Sequence, residues 1–474
     1  MKFSHDVIVI GAGAAGLTAA GGCALFGLKV ALVERADMGG ECLNNGCVPS
    51  KALIAAARRA AEANVQDRFG VRMAAPKVDW AGVRAHIGKA IADIAPHDSQ
   101  ERFEAMGCDV YRGHATFVHK RKVRVGDVEL AAPKIVIAAG SQPFVPPIKG
   151  LDHVPYLTNE NIWDLDQLPQ HLVILGGGAV GMEMAQSFRR LGSEVTVIEP
   201  GALMGRDDPE SVAVVVETMQ AEGVMFVQGK AAKVTPAHLG SFILTLEDGE
   251  EVAGTHLLIA AGRKARVEGY GLEEIGVELG TNGIAVDDRR RTSLKHIYAI
   301  GDCREGPRLT HVSGYEGSNV ALEIALGIPT RVDWSALPWC TYTSPEVAQI
   351  GLPEAQAREA HGDKIIVVRE GFDHNERAIA EGDTRGHMKL ILRGKQVLGA
   401  SIVGRNAGEL LLPFSQLITG KASTFALGSA IVAYPTRSEI AKAAAFSAWE
   451  GTVFGKAPRR YAKTRAWTRK AWPF

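Results

Sequence analysis

Asp6-Val7-Ile8-Val9-Ile10-Gly11-Ala12-Gly13-Ala14-Ala15-Gly16-Leu17-Thr18-Ala19-Ala20 is the stretch that decides how this 474-residue chain is read. A β-branched run leads into glycines at 11, 13 and 16, and a helix-like stretch follows. A second strand, residues 30–33, ends on Glu34. The same design returns downstream. A strand at 172–175 leads into Gly176, Gly178 and Gly181, and a strand at 195–198 ends on Glu199. In both copies the acid lies 23 residues after the first glycine. Each copy also closes with a similar apolar strand, 135–137 running on to Gly140 and 257–259 running on to Gly262. Two copies of one nucleotide-binding unit are the economical reading.

The glycines have separate physical tasks. The first permits the tight turn, the second lets backbone approach a pyrophosphate, and the third lets helix and strand pack closely. The phosphates then sit at a helix N-terminus, where free N–H groups and the dipole favour anions. Ala14 and Val180, at the two helix starts, are neighbouring contact candidates. Glu34 and Glu199 are placed to hydrogen-bond a ribose diol. A carboxylate at Glu199 repels a 2′-phosphate, so the second site is expected to take NAD rather than NADP. Arg206, seven residues later, is the group that could reverse this by reaching a phosphate. A tight turn with no ligand is the bland alternative, and it leaves a matched second copy without purpose.

The length is too great for one ordinary core. Hydrophobic residues at 46% and charged residues at 22% describe a globular chain, and zero formal net charge offers nothing to nucleic acid. No apolar run reaches the length of a membrane span. The chain enters its first strand without a charged-then-apolar leader, so a cytoplasmic location is expected. Pro143, Pro146 and Pro147 mark one hinge, and Pro338 and Pro345 another. The expected class is α/β: a first Rossmann-like dinucleotide-binding domain over 1–147, a second over 148–265, and a return segment of the first over 266–334. An α+β domain follows over 335–455, with strands at 365–368, 388–392 and 397–403 and helices near 407–419 and 438–448. A tail closes the chain at 456–474.

Gly39-Gly40-Glu41-Cys42-Leu43-Asn44-Asn45-Gly46-Cys47-Val48-Pro49-Ser50-Lys51 carries the chemistry. A helix is expected over 50–63, with Pro49 where a first turn tolerates it. A helix N-terminus stabilises thiolate and lowers a thiol pKa. The alternatives are two buried thiols or half a zinc site, but no second Cys or His pair at ligand spacing is nearby, and no metal is expected. A close pair in the cytosol is more often redox-active than structural. Cys23, Cys108, Cys303 and Cys340 are scattered and read as small hydrophobes.

These motifs resemble the pyridine nucleotide–disulfide oxidoreductases, the group containing dihydrolipoamide dehydrogenase, glutathione reductase and mercuric reductase. The resemblance rests on the first fingerprint, the Gly-Gly-x-Cys-x4-Cys-x-Pro-Ser-Lys segment, the second fingerprint with Glu183, and Ile297-Tyr298-Ala299-Ile300-Gly301-Asp302. It implies FAD in the first domain, with Gly11, Gly13, Ala14, Gly16, Glu34, Gly40, Lys51, Gly140 and Asp302 contacting it. It implies NAD in the second, with Gly176, Gly178, Val180, Gly181, Glu199 and Gly262. Cys47 would be the charge-transfer thiol beside the flavin and Cys42 the interchange thiol facing the acceptor. Lys51 and Glu183 match the family's ion pair near the flavin ring, and Asp302 the acid that holds the ribityl chain. The α+β domain would be a dimerisation domain, and the chain a homodimer. The implied activity passes electrons from NADH through flavin and Cys42–Cys47 to a thiol, disulfide or soft-metal acceptor. The alternatives are a flavin NADH oxidase, diaphorase or transhydrogenase, and a redox-dependent binding protein with structural FAD.

One family element is altered. The disulfide reductases carry His-Pro…Glu, whose histidine shuttles a thiol proton; here the run is Ala433-Tyr434-Pro435-Thr436-Arg437-Ser438-Glu439. Glu439 is kept and Tyr434 replaces the histidine. An imidazole titrates near neutrality, whereas a phenol of pKa about 10 is ionised to roughly one part in a thousand at pH 7. Tyr434 suits hydrogen-bond donation or contact with a soft metal better than proton shuttling; a packed interface tyrosine is the alternative. Tyrosine resembles mercuric reductase, yet no Cys-x-x-Cys precedes the first strand and the last cysteine is Cys340, which argues against a dedicated mercury enzyme.

Residues 456–474 hold seven Lys or Arg, no acid, and Tyr461, Trp467, Trp472 and Phe474. Such a segment can lie on an anionic membrane surface or dock an acidic partner. A solvated tail is the bland expectation.

Overall fold

The computed structural model describes residues 2–64, 68–72 and 74–471. It divides into two compact units, one of residues up to Gly201 with Gly223–Val332, the other of Ala202–Glu222 with the chain from Asp333 onward.

The first unit contains both nucleotide-binding sheets, and they are built alike. In one, the strand Val7–Ile10 lies at the centre, parallel to Val30–Glu34 on one side and to Lys134–Ile137 on the other. Cys108–Arg112 and Ile297–Ala299 extend the edges, again in parallel. In the other, His171–Leu175 is central between Glu194–Glu199 and His256–Ile259, with Val224–Gln228 and Tyr156–Leu157 outside them. The central strand of the first sheet is wholly buried, as a parallel strand covered on both faces must be. Its continuous apolar run follows from that burial.

The echo extends to elements that residue patterns did not reveal. Each nucleotide-binding half of the first unit carries a three-stranded antiparallel sheet, Ala115–His119, Lys122–Val125 and Val128–Ala131 in one, and Ala231–Pro236, Phe242–Leu246 and Glu251–Gly254 in the other. Short polar-rich strands alternate too weakly to stand out from loops. The helix Trp80–Ile94 was likewise not anticipated; Asp79 caps it by accepting from Ala81 N.

The second unit has an antiparallel five-stranded sheet ordered Pro338–Thr341, Glu346–Gly351, Gln396–Gly404, His387–Arg393 and Ile365–Gly371. The helices Leu412–Ile418 and Glu439–Val453 contribute Phe414, Leu417, Ile440, Ala441 and Ala444 to its core. The helix Pro209–Ala221 also groups here. Its N-cap Asp208 takes a hydrogen bond from Lys389 at 3.1 Å, and Ser211 meets Ser401 at 3.3 Å. The residues 456–471 form a helix, Lys456–Ala471, with no buried residue. Trp472 and Phe474 lie outside the described residues. Among the described residues, no helix is long and apolar enough to cross a membrane.

Candidate active site

The two glycine turns are superimposable in their logic. Gly11 has φ +106° and Gly176 φ +112°, a region closed to side chains, and a Cβ there would fall 2.3 and 2.4 Å from the carbonyl oxygens of Ala138 and Ala260. A Cβ on Gly16 would fall 1.8 Å from Gly11 O, and on Gly181 1.9 Å from Gly176 O. At Gly178 a Cβ would meet nothing within 4 Å, and at Gly13 only the Gly40 Cα at 3.8 Å. These middle glycines face open space beside helix starts that have no side-chain cap and no acid in the first turn. Uncapped N–H groups around a glycine-lined space fit a pyrophosphate.

Both acids reach back to their turns. Glu34 accepts from Ala12 N at 2.6 Å and Ala36 N at 2.7 Å. Glu199 accepts from Gly177 N at 2.7 Å and Gly201 N at 2.9 Å. The carboxylates are thereby oriented at the strand ends where a ribose diol would lie. Arg206 belongs to the second compact unit, its guanidinium 5.9 Å from the Trp339 ring centroid.

The cysteine segment folds as a short helical turn, Gly40–Asn44, followed by the helix Cys47–Asn64. The helix starts at Cys47 rather than at Ser50. Pro49 falls inside the first turn, where no N–H is needed, and Ser50 N closes the first helical bond on Gly46 O at 3.1 Å. Cys47 therefore stands at a helix N-terminus itself. Its sulfur meets Thr310 Oγ1 at 3.2 Å, the first residue of the helix Thr310–Leu326. The Cys42 hydrogen bond, then Thr310 and the Lys51 charge, bring the Cys47 thiol down to about 6 against the cost of burial. The same pairing with Cys47, followed by burial, pushes Cys42 far up. The pair thus holds one proton on Cys42 and presents Cys47 as thiolate.

Lys51 Nζ lies 2.8 Å from Glu183 Oε2, joining the cysteine helix to the helix of the second glycine turn, Ala179–Leu191. Glu183 is almost fully buried, so its charge is poorly screened and the pair is firmly oriented. Asp302 accepts from Ser141 Oγ at 2.7 Å just beyond Gly140, whose φ is +72°. Gly262, φ +125°, takes the matching place beside the second glycine turn. The turn carrying Asp302 is anchored through Gly301 N, which donates to buried Glu316 at 2.8 Å.

Tyr434 and Glu439 belong to the second unit. The Tyr434 side chain is 70% exposed, so in this chain it is not packed. Glu439 accepts from Thr436 N at 3.2 Å, a local cap at the start of its own helix. Cys23, Cys108 and Cys303 are buried and Cys340 half-buried.

Residue reading missed Thr310, Arg263, Asn159 and Trp163, which close around the cysteine segment from 100 or more residues away in sequence; only the Ser/Thr at a helix start offered a signal. Among the described residues, one trio of metal-ligand type comes together, Asp208, Glu210 and His387 within 4.8 Å. Lys389 Nζ already lies 3.1 Å from Asp208 and 2.7 Å from Glu210, so the trio is part of an ion-pair hub.

Two dinucleotide cradles, with a close cysteine pair joined through Lys51–Glu183 to the helix of the second, define a flavin- and nicotinamide-dependent oxidoreductase. Family models agree along most of the chain: "pyridine nucleotide-disulphide oxidoreductase" matches residues 5–317, and its dimerisation domain matches 337–445. The chain belongs to the pyridine nucleotide-disulphide oxidoreductase family and carries that family's dimerisation domain. It is an FAD- and NAD(P)H-dependent enzyme of the disulfide oxidoreductase type. A mercuric reductase of Streptomyces lividans is 35% identical over 456 residues, covering 93% of this chain and 95% of the relative. A dihydrolipoyl dehydrogenase of Bacillus subtilis is 34% identical over 457 residues, with coverage of 93% and 95%. The Cu(II) complex of the HOCl-induced flavoprotein disulfide reductase RclA from Escherichia coli superimposes with a TM-score of 0.83 at 28% identity, over 92% of this chain and 99% of that one.

Proposed function

We propose that this enzyme uses NADH to reduce a disulfide, a thiol-bound species or a soft metal ion through Cys42 and Cys47. The observation that carries the reading is the unequal pair: Cys47 ionised beside Thr310 and Lys51, Cys42 protonated against it. Bound FAD would accept hydride from nicotinamide and deliver two electrons to the pair. Gly11, Gly13, Ala14, Gly16, Glu34, Gly40, Gly140 and Asp302 would hold it, with Lys51 and Glu183 biasing its ring. Gly176, Gly178, Val180, Gly181, Glu199 and Gly262 would hold the nicotinamide nucleotide. Opening the disulfide takes up two electrons and two protons in all. Cys42 keeps one proton, and Cys47, poised near 6, releases the other at neutral pH. Cys42 is the thiol that meets the acceptor, with Tyr434 of the partner subunit as a hydrogen-bond donor or soft-metal contact and Glu439 of the partner subunit supporting that loop. Relatives of both kinds, mercuric reductase and dihydrolipoyl dehydrogenase, fall within this acceptor class.

The nucleotide preference rests on Glu199, whose carboxylate, held by Gly177 N, would repel a 2′-phosphate, and on Arg206, which stands over the Trp339 ring. A panel of lipoamide, glutathione disulfide, Hg(II), Cu(II) and quinones, run with NADH and NADPH, tests the whole reading. We expect turnover on a thiol, disulfide or soft-metal acceptor, with NADH favoured about tenfold or more. Turnover confined to quinones and dyes would make the enzyme a diaphorase or oxidase instead. Reduced nicotinamide is available in the cytoplasm, where we place the enzyme, as a homodimer.

We infer that the helix Lys456–Ala471 can lie on an anionic membrane surface. Seven cations without an acid stand on an unburied helix, with Tyr461 and Trp467 each about two-thirds exposed. The full-length enzyme should sediment with phosphatidylserine vesicles at low salt and remain free at high salt, while a chain ending at Gly455 stays in solution and still oxidises NADH. Equal sedimentation of the two forms refutes the assignment.

A further inference from the structure

The segment between the two cysteines is tied down at both ends by side chains that belong to neither glycine turn. Glu41, next to Cys42, takes hydrogen bonds from two directions. Asn159 Nδ2 donates to one carboxylate oxygen at 2.7 Å, and the Arg263 guanidinium donates to the other. Arg263 is itself fixed, its Nε donating to Ser141 Oγ at 2.8 Å, and Ser141 to Asp302 at 2.7 Å. Near the other end, the Asn45 carbonyl accepts from the Trp163 indole at 3.2 Å. The same indole donates to Asn159 O at 2.7 Å, which links the two tethers into one brace. Inside the loop, Asn45 N bonds Glu41 O at 2.8 Å, and Asn44 Nδ2 bonds Gly40 O at 2.8 Å. None of these contacts passes through a sulfur, so the brace does not depend on the sulfur–sulfur bond.

We propose that Arg263, Asn159 and Trp163 are positioning residues that hold the Cys42–Cys47 loop in disulfide geometry in its reduced form, and so set the reduction potential of the pair. The inference rests on the reading of Cys42–Cys47 as a redox disulfide. The physical link is entropic. Reduction of an unbraced loop frees backbone torsions, and that freedom favours the dithiol. A braced loop gains little on reduction, so its sulfurs stay at high effective concentration and the disulfide is harder to open. Removing either tether therefore moves the equilibrium toward the dithiol. The exchange is balanced: protein disulfide and two glutathione thiols give protein dithiol and glutathione disulfide, the two electrons and two protons coming from glutathione.

The experiment equilibrates FAD-loaded enzyme with glutathione buffers of graded ratio, traps thiols with an alkylating agent and counts the adducts by mass. Glu41→Ala and Trp163→Phe are each expected to shift the equilibrium constant toward dithiol by about tenfold, equivalent to about 30 mV for this two-electron couple. Arg263→Lys, which keeps a cation against Glu41, should restore most of the shift seen in Arg263→Met. Trp163→Phe changes no charge and keeps the ring, so it carries the test if Glu41→Ala loses flavin. Constants within twofold of the parent in both variants overturn the proposal. A shift in Glu41→Ala alone overturns it in favour of a charge effect. Failure of the parent to form the disulfide at any buffer ratio defeats the redox reading itself and is seen before any variant is made.

Discussion

Cys47→Ser should abolish NADH-dependent reduction of the thiol, disulfide or metal acceptor, by about 10³-fold or more, while electron transfer to a dye that draws directly on the flavin stays within a few-fold. A hydroxyl at this position cannot form the disulfide and does not ionise at neutral pH. Cys42→Ser should lose the same acceptor activity but keep the Cys47 thiolate, so the two variants separate the two sulfurs. In Cys42→Ala, which removes the hydrogen bond to its sulfur, Cys47 should titrate above the parent value. In the reduced parent, alkylation of Cys47 should follow a midpoint near pH 6. Thr310→Val should raise it by removing a hydrogen bond to the sulfur. The sign of the stability effect follows from the direction of this shift. Folding lowers the Cys47 pKa from 9.0 to about 6, so its contribution is fully present above about pH 9, shrinks below that, and is gone once pH falls through about 6. Retained acceptor turnover in Cys47→Ser would remove the pair from the electron path.

Gly181→Ala should cripple reduction of the flavin by NADH while leaving the protein yellow, and Gly16→Ala should do the reverse, yielding protein that purifies without flavin. The Cβ would stand 1.9 Å from Gly176 O in the first case and 1.8 Å from Gly11 O in the second. Both obstacles are backbone carbonyls, which a rotamer change cannot relieve. The helix must move off its strand, at a cost of about 3 kcal/mol or more. The movement displaces the N–H groups that face the pyrophosphate, so binding is lost with it. Flavin absorbance per chain and the rate of flavin bleaching by NADH in a rapid-mixing experiment read the two outcomes. Loss of flavin from both variants, or normal bleaching in Gly181→Ala, would break the assignment of one nucleotide to each turn.

The two turns and their order along the chain can be seen in residues alone because the constraints are local. A positive φ at Gly11 and Gly176 and a helix–strand approach that excludes a Cβ at Gly16 and Gly181 demand glycine at fixed spacing. Buried parallel strands likewise demand the apolar runs that lead into them. The Cys-x4-Cys segment is equally local, and so is the replacement of histidine by Tyr434.

The structure decided what meets those residues. Thr310 lies 263 positions from Cys47 and Glu183 lies 132 positions from Lys51, yet each pair is in hydrogen-bonding contact. No periodicity encodes such a meeting, because it depends on where the edge strand Ile297–Ala299 of the parallel sheet delivers the helix after it. The same holds for Arg263 and Trp163 against the cysteine loop, and for the antiparallel sheets that residue patterns passed over. Local backbone sterics write themselves into composition at a fixed spacing. Long-range contacts arise only when distant segments are packed together, and in this enzyme they add the Thr310 hydrogen bond to the local Cys42 hydrogen bond that lowers the Cys47 pKa.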